Sequence, residues 1–242
     1  KKLGIKVKIQ KNYCEIVGNG INGFKYKKNL TINAKNSGTL GRLILGLLIK
    51  SPKKIRIIGD KSLSKRDFSR VTIPLEKFGV KFFYKKKNKL PLTILGTQSA
   101  EGIKYLENKG SAQCKSSVML AALNASGTTS IKAKKSRNHS ELLFKYLKIP
   151  IKVRKTKKFD YIDIKKPKKI NAFNYQIPGD ISSSAFFMVL TTLANNSKLL
   201  IKNVNINPSR VGVITILKKM GAQITLKNQR NYRGEKISDI LI

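Results

Sequence analysis

Apolar residues recur along this chain with two periods that replace each other in a fixed order. Alternating runs at 5–9, 13–17 and 54–58 put every second side chain on one face and predict strands, the first two joined by a Gln-Lys-Asn turn. A further strand is expected at 30–32, after a loop containing Gly18, Gly20 and Gly23. Residues 36–49 open on Asn-Ser-Gly-Thr and become an apolar run interrupted only by Arg42 and two glycines, which predicts a helix buried on most sides. Ser51-Pro52 stops it. A second helix is expected from Ser64, spaced with Asp67 as a capping box, with Phe68, Val71, Leu75 and Phe78 on one face. Pro74 should kink it, Gly79 ends it, and strands follow at 80–84 and 92–95.

From Gly110 the order starts over. Gly-Ser-Ala-Gln opens a helix carrying Val118, Leu120 and Leu123, and Gly127 turns it into a strand at 128–133. Asn138 and Glu141 form a capping box for a helix ending near Leu147, before strands at 151–154 and 161–164. A third round begins at Gly179 with an apolar helix through Leu193, then a strand at 198–202. Asn207 caps the next helix, with Pro208 at its first position and Met220-Gly221 at its end, and strands close the chain at 223–226 and 237–242. The helix starts Asn36, Ser111 and Asp180 are 75 and 69 positions apart, about twice the period of thin solenoids, so the units should pack around a shared core. The expected class is an α/β (α+β) repeat architecture. One domain would cover 1–177, made of the end of one repeat and two full repeats at 35–108 and 110–177. A second would begin at 179–242, with the boundary near Pro178. Without an initiator methionine, and stopping inside an apparent strand, the chain is expected to be a piece of a longer protein.

Composition narrows the function. With 40% apolar and 26% charged residues the 242-residue chain can bury a core, and no stretch of eighteen apolar residues suggests a membrane span, so a cytoplasmic protein is expected. Lys and Arg total 51 against 12 acidic residues, a net charge of +39 that would ordinarily point to nucleic acid. The excess is mostly lysine, spread over the whole length, and its densest patches at 81–89 and 165–169 lack an interleaved stacking pattern. A solvated surface with no nucleic-acid partner is the better reading. Cys14, Cys114 and the single His139 are too few for a zinc site, and no cofactor is implied.

The chemistry gathers at helix starts. Asn36-Ser-Gly-Thr39, Ser111-Ala-Gln113 and Asp180-Ile-Ser-Ser183 each offer free amides at the positive end of a helix dipole, where an anion can sit. Asn36 or Ser37 can cap the first, and Gly38 lets a ligand approach the backbone. Arg42, Arg66 and Arg137 stand near such starts, and arginine forks match carboxylate and phosphate oxygens as lysine does not.

Seven motifs, in order and spacing, resemble the 3-phosphoshikimate 1-carboxyvinyltransferase (EPSP synthase) family: Asn36-Ser-Gly-Thr39 with Arg42, Gly59 to Arg66, Leu90-Pro-Leu-Thr-Ile94, Gly110 to Ser116, Ser136-Arg-Asn-His139, Gly179 to Ser183, and Asn207-Pro-Ser-Arg210. The resemblance implies two similar domains built from βαβαββ units, with the active site in the cleft between them. It implies transfer of the enolpyruvyl group of phosphoenolpyruvate to the 5-hydroxyl of shikimate 3-phosphate through a tetrahedral intermediate that expels phosphate. Asn36, Gly38, Thr39, Arg66 and Gln113 would bind phosphoenolpyruvate. Ser111, Ala112, Gln113 and Ser136 or Arg137 would bind shikimate 3-phosphate, with Ser37 and Arg42 supporting. Both partners are small anions, and the intact protein is expected to be a monomer. By the family pattern most acid/base residues lie before residue 1 or beyond residue 242, so no catalytic residue is assigned here and the segment alone is expected to be inactive. The architecture also fits the UDP-N-acetylglucosamine enolpyruvyl transferases, which use a loop cysteine as a proton donor. Cys114, in the first turn of a helix, is instead expected to be a packed residue. From another class, a basic nucleic-acid-binding repeat protein would leave Ser111-Ala-Gln113 unexplained.

Overall fold

Two periods of hydrophobicity give one succession of strands and helices, repeated. In a computed structural model describing residues 1–21 and 23–242, a hairpin of β1 (Lys6–Ile9) and β2 (Cys14–Val17) precedes the first full repeat. That repeat runs β3 (Leu30–Asn33), α1 (Gly38–Leu47), β4 (Ile55–Ile58), α2 (Lys61–Lys65), α3 (Ser69–Glu76), β5 (Lys81–Tyr84) and β6 (Leu92–Leu95). The second runs β7 (Lys104–Glu107), α4 (Ala112–Ala122), β8 (Thr128–Lys134), α5 (His139–Tyr146), β9 (Ile151–Lys155) and β10 (Phe159–Lys165). The third keeps α6 (Ile181–Leu193), β11 (Leu200–Asn205), α7 (Gly212–Lys219), β12 (Thr225–Tyr232) and β13 (Glu235–Leu241).

Sheet order shows the repetition. β3-β4-β6-β5 and β7-β8-β10-β9 share one pattern, a parallel pair followed by two antiparallel pairings. The third sheet, β11-β13-β12, is antiparallel, and its leading strand shrinks to a single parallel bridge from Gly179 to Val204. Each full repeat therefore begins one strand earlier than its helix. β7, not anticipated from sequence, is the counterpart of β3.

Packing divides the chain into two compact units, residues 1–135 with 148–170, and 136–147 with 171–242, so α5 goes with the second. In the first unit α1, α3 and α4 pack on one another. Inward alternation on β4 (Ile55, Ile57), β8 (Ile131, Ala133) and β10 (Ile162, Ile164) meets Leu45, Leu48, Val118 and Met119 from the helices. At the α1–α4 crossing a side-chain carbon on Gly46 would lie 2.1 Å from the Ser117 carbonyl oxygen, so only glycine permits this backbone approach. In the second unit Ile181, Met188, Val204, Ile206, Ile214, Leu217, Ile224 and Ile240 form the core. The helix α6 is apolar on nearly every face yet buries only Ile181, Ser184 and Met188, leaving Phe186, Leu190 and Leu193 exposed.

Three capping expectations fail. The helix expected from Ser64 through Phe78 is two helices: Asp60, not Ser64, caps α2 by accepting from the Leu63 amide at 2.7 Å, and Arg66 ends it in extended backbone. Asp67 accepts from the Ser69 amide and hydroxyl, which breaks the chain ahead of α3. Pro74 does sit inside α3, and Gly79 follows it with a φ of +91°. Asn138 makes no side-chain cap on α5 because its Oδ1 accepts from Asn207 Nδ2 at 2.8 Å. The Asn207 Oδ1 takes the Ser209 amide and hydroxyl in a turn, so α7 begins only at Gly212.

The close α1–α4 contact carries a stability prediction. Gly46→Ala should lower the urea midpoint of the first unit by the equivalent of about 1–3 kcal/mol, because backbone cannot give way as a side chain can. Gly212→Ala, whose new carbon meets nothing within 4 Å, should shift the second unit's transition by less than about 1 kcal/mol.

Candidate functional site

Two helix starts meet in the first unit, and each is prepared by its own sequence. Ser37, in extended backbone, caps α1 by accepting from the Leu40 amide at 3.1 Å, and Ser111 caps α4 by accepting from the Cys114 amide at 3.3 Å. A serine satisfies one amide and brings no charge, so the other first-turn donors keep the positive end of each helix. Because α1 and α4 pack together, these starts are cross-linked by side chains. Gln113 Nε2 donates to Thr39 Oγ1 at 2.9 Å, and Arg42 Nη1 donates to Gln113 Oε1 at 3.0 Å and to the Gly38 carbonyl at 3.4 Å.

Cations converge at this point. A side-chain carbon built on Gly38 would lie 2.7 Å from Arg42 Nη1 and 3.2 Å from Arg66 Nη1, so both guanidinium groups stand over the glycine backbone. Arg42 is half-buried, held 5.3 Å over the Phe68 ring, and its carbonyl accepts from Ser117 Oγ at 3.0 Å. Burial, and then the neighbouring Arg66 charge, lower its pKa, yet a guanidinium remains protonated at neutral pH. Arg66 is exposed at the end of α2, and among the described residues its guanidinium donates no hydrogen bond and pairs with no carboxylate. The nearest acid is engaged elsewhere. Asp60 accepts from Leu63 N and from Asn36 Nδ2 at 2.6 Å, and these bonds, the Leu63 amide first, hold its carboxyl below the ordinary range. Two positive groups over a bare backbone, neither in a hydrogen-bonded ion pair among the described residues, are an arrangement that can accept a small anion.

The structure thus brings Asn36, Ser37, Gly38, Thr39, Arg42, Arg66, Ser111, Ala112 and Gln113 into one neighbourhood of the first unit. Arg42 is the buried support and Arg66 the exposed cation. Ser136 and Arg137 lie in the second unit, just before α5. Arg137 is exposed, and the Ser136 hydroxyl oxygen is buried with no hydrogen-bond partner among the described residues. Sequence reasoning missed Asp60 as the anchor of Asn36 and Phe68 as the platform under Arg42. The Asp-Lys-Ser-Leu stretch is an ordinary cap signal for the former, whereas no local signal marks the latter. Cys114 is buried, its Sγ accepts from Ser111 Oγ at 3.1 Å, and burial pushes its thiol pKa up.

The EPSP synthase (3-phosphoshikimate 1-carboxyvinyltransferase) family model matches residues 1–240. The chain is 43% identical over 242 residues to the 3-phosphoshikimate 1-carboxyvinyltransferase of Ruthia magnifica subsp. Calyptogena magnifica, covering 99% of this chain and 54% of that protein. Against the protein of the same name from Bacillus subtilis (strain 168) the identity is 36% over 244 residues, covering 100% and 56%. A solved EPSP synthase from Acinetobacter baumannii superposes with a TM-score of 0.86 at 36% identity, covering all of this chain and 54% of that one. The chain therefore spans about half the length of the curated relatives it matches. No helix among the described residues is long and apolar enough to cross a membrane.

Burial separates the two thiols. Iodoacetamide should label the native chain once, at the exposed Cys14, and reach Cys114 only after unfolding; peptide mapping of the labelled sites checks this.

Proposed function

We propose that this chain, which belongs to the EPSP synthase (3-phosphoshikimate 1-carboxyvinyltransferase) family, carries part of the substrate-binding apparatus of an enzyme acting on phosphoenolpyruvate and shikimate 3-phosphate. The enzyme transfers the enolpyruvyl group to the 5-hydroxyl of shikimate 3-phosphate and releases phosphate. The observation that carries this reading is the meeting of Arg42 and Arg66 over Gly38 beside Gln113. Phosphoenolpyruvate carries a carboxylate and a phosphate on the same carbon, and such a ligand needs fork-shaped cations and backbone amides at close range. Gly38 and the first-turn amides of α1 give the approach, Arg66 gives the free fork, and Arg42 fixes the Gln113 amide while adding its charge.

Ser111, Ala112 and Gln113 bind shikimate 3-phosphate, and so do Ser136 and Arg137; the unpartnered Ser136 hydroxyl supports a ligand bond there. Asn36 and Thr39 complete the phosphoenolpyruvate set. In the reaction a proton adds to the methylene carbon, the 5-hydroxyl adds to the neighbouring carbon and gives up its proton, and departure of phosphate together with a proton from the new methyl group restores the double bond. What these residues supply is placement and fixed positive charge where negative charge builds up. The buried Cys114 does not suit proton donation from a mobile loop, which disfavours the UDP-N-acetylglucosamine reading. The enzyme acts in the cytoplasm as a monomer.

Kinetics of the chain expressed with its complete flanking sequence test the reading. Arg66→Ala should raise the KM for phosphoenolpyruvate by about 10- to 100-fold, with the KM for shikimate 3-phosphate changed less than about threefold. Gln113→Ala should raise both. Unchanged phosphoenolpyruvate kinetics in Arg66→Ala would overturn the assignment, and enzyme-like turnover by the 242-residue segment alone would overturn the reading that it carries only part of the apparatus.

A further inference from the structure

In the second unit a single tight turn grips α5 at three points. Arg233 and Gly234 join β12 to β13 with φ values of +52° and +90°, which folds the hairpin back sharply. At the far end of α5, Arg233 donates from Nη1 to the Tyr146 hydroxyl and lies 5.0 Å from the Tyr146 ring, with Tyr232 and Tyr175 also against it. At the middle, a side-chain carbon on Gly234 would touch Leu142 at 3.6 Å. At the start of α5, Glu235 Oε1 is 2.6 Å from His139 Nδ1.

Glu235 is a buried carboxylate, and two of the three bonds it accepts lead to that start. Its Oε2 accepts from Asn205 Nδ2 at 3.1 Å and Asn207 Nδ2 at 3.3 Å, and the same Asn207 amide donates to Asn138 Oδ1 at 2.8 Å. Burial alone would raise its pKa, but the bonds from His139 and Asn205 outweigh that and hold the group ionised. The two residues reached through this network, Asn138 and His139, directly follow Ser136 and Arg137 in the chain. Since α5 has no side-chain cap of its own, bonds from outside the helix, those of Glu235 among them, bear on the place of its entry segment.

We propose that Glu235 is a positioning residue for the reaction: through His139 and through Asn207 and Asn138 it holds the Ser136-Arg137 segment where that segment takes the phosphate of shikimate 3-phosphate. This rests on the proposed role of Ser136 and Arg137 and adds the element that orients them. A carboxylate buried among three amide or imidazole donors is costly to leave half-satisfied, so the network has one good arrangement, and that arrangement fixes the backbone at 138–139. Slack of about 1 Å there would be felt as weaker phosphate binding.

The test uses the chain expressed with its complete flanking sequence and compares Glu235→Gln, His139→Ala and Arg137→Ala. The His139 variant alters a side chain 37% exposed, so it should fold even if the buried Glu235 substitution does not. Both Glu235→Gln and His139→Ala should raise the KM for shikimate 3-phosphate about tenfold, with the KM for phosphoenolpyruvate changed less than about twofold and faster amide exchange over 138–142. A general loss of structure would instead raise both KM values together, and that result overturns the proposal. If Arg137→Ala raises the KM for shikimate 3-phosphate while neither Glu235→Gln nor His139→Ala does, the phosphate role stands and the positioning role falls. If Arg137→Ala leaves that KM unchanged, the role of the segment itself is wrong, and the proposal falls with it.

Discussion

The contact between α1 and α4 governs where the charged groups of the first unit come to rest. With the Gly46 backbone against the Ser117 carbonyl, two helices from different repeats lie closer than side chains normally permit. That closeness lets Ser117 reach the Arg42 carbonyl and lets Gln113 bridge to both Thr39 and Arg42 across more than seventy positions of sequence. If the helices stood a methyl group further apart, these bonds would lengthen together and the helix starts would cease to share one surface. Packing in the interior and geometry at the rim are one constraint seen at two places.

Electrostatics give that geometry its direction. A chain with net charge +39 has cations everywhere, so charge alone marks no site. What sets the Gly38 neighbourhood apart is the fate of its counter-charge. Asp60, the carboxylate best placed to neutralise Arg66, has its oxygens committed to the Leu63 amide and to Asn36. Arg42 is desolvated against Phe68 and spends its Nη1 on the Gln113 oxygen and the Gly38 carbonyl. Asp60 still acts on Arg66 through space, but neither arginine makes a hydrogen-bonded ion pair among the described residues, so an incoming anion does not have to displace one.

Local chemistry was readable from sequence, and partners distant in sequence were not. The serine caps at 37 and 111, the turns at Gly79 and Gly127, and the repeat of helix, strand, helix and paired strands all follow from residues within one turn or one hairpin of each other. The failures share a cause. The capping box at Asn138 fails because Asn207, sixty-nine positions on, claims its side chain, and the box at Ser64 gives way to Asp60, whose carboxylate also ties down Asn36. β7 was missed because Lys-Tyr-Leu-Glu is too short and too charged at its ends to read as a strand until β8 lies beside it. Glu235 carries no local signal in the sequence, and only the fold shows it buried. The residues that the family's motifs single out in the first unit do lie in one neighbourhood. Why Arg42 supports while Arg66 stays free required the packing.

The charge of the capping residue explains why one frame serves different ends in successive repeats. In the third repeat the cap of α6 is Asp180, and Arg210, thirty positions on, pairs with it at 2.9 Å and also donates to Ser182 Oγ at 2.5 Å. That helix start carries its own anion, and its arginine is consumed internally. In the first repeat the cap is the neutral Ser37, and Arg66, twenty-nine positions on, stands near the glycine that follows it without a hydrogen-bonded acid partner. The two caps thus differ in charge: the aspartate at 180 carries an ion pair, and the serine at 37 carries none. The second repeat also caps with serine, at Ser111, and it is there that Gln113 joins the first helix start. Neutral caps at both converging starts leave the positive ends of two helices unanswered by protein, and a small dianion is the kind of ligand that answers them.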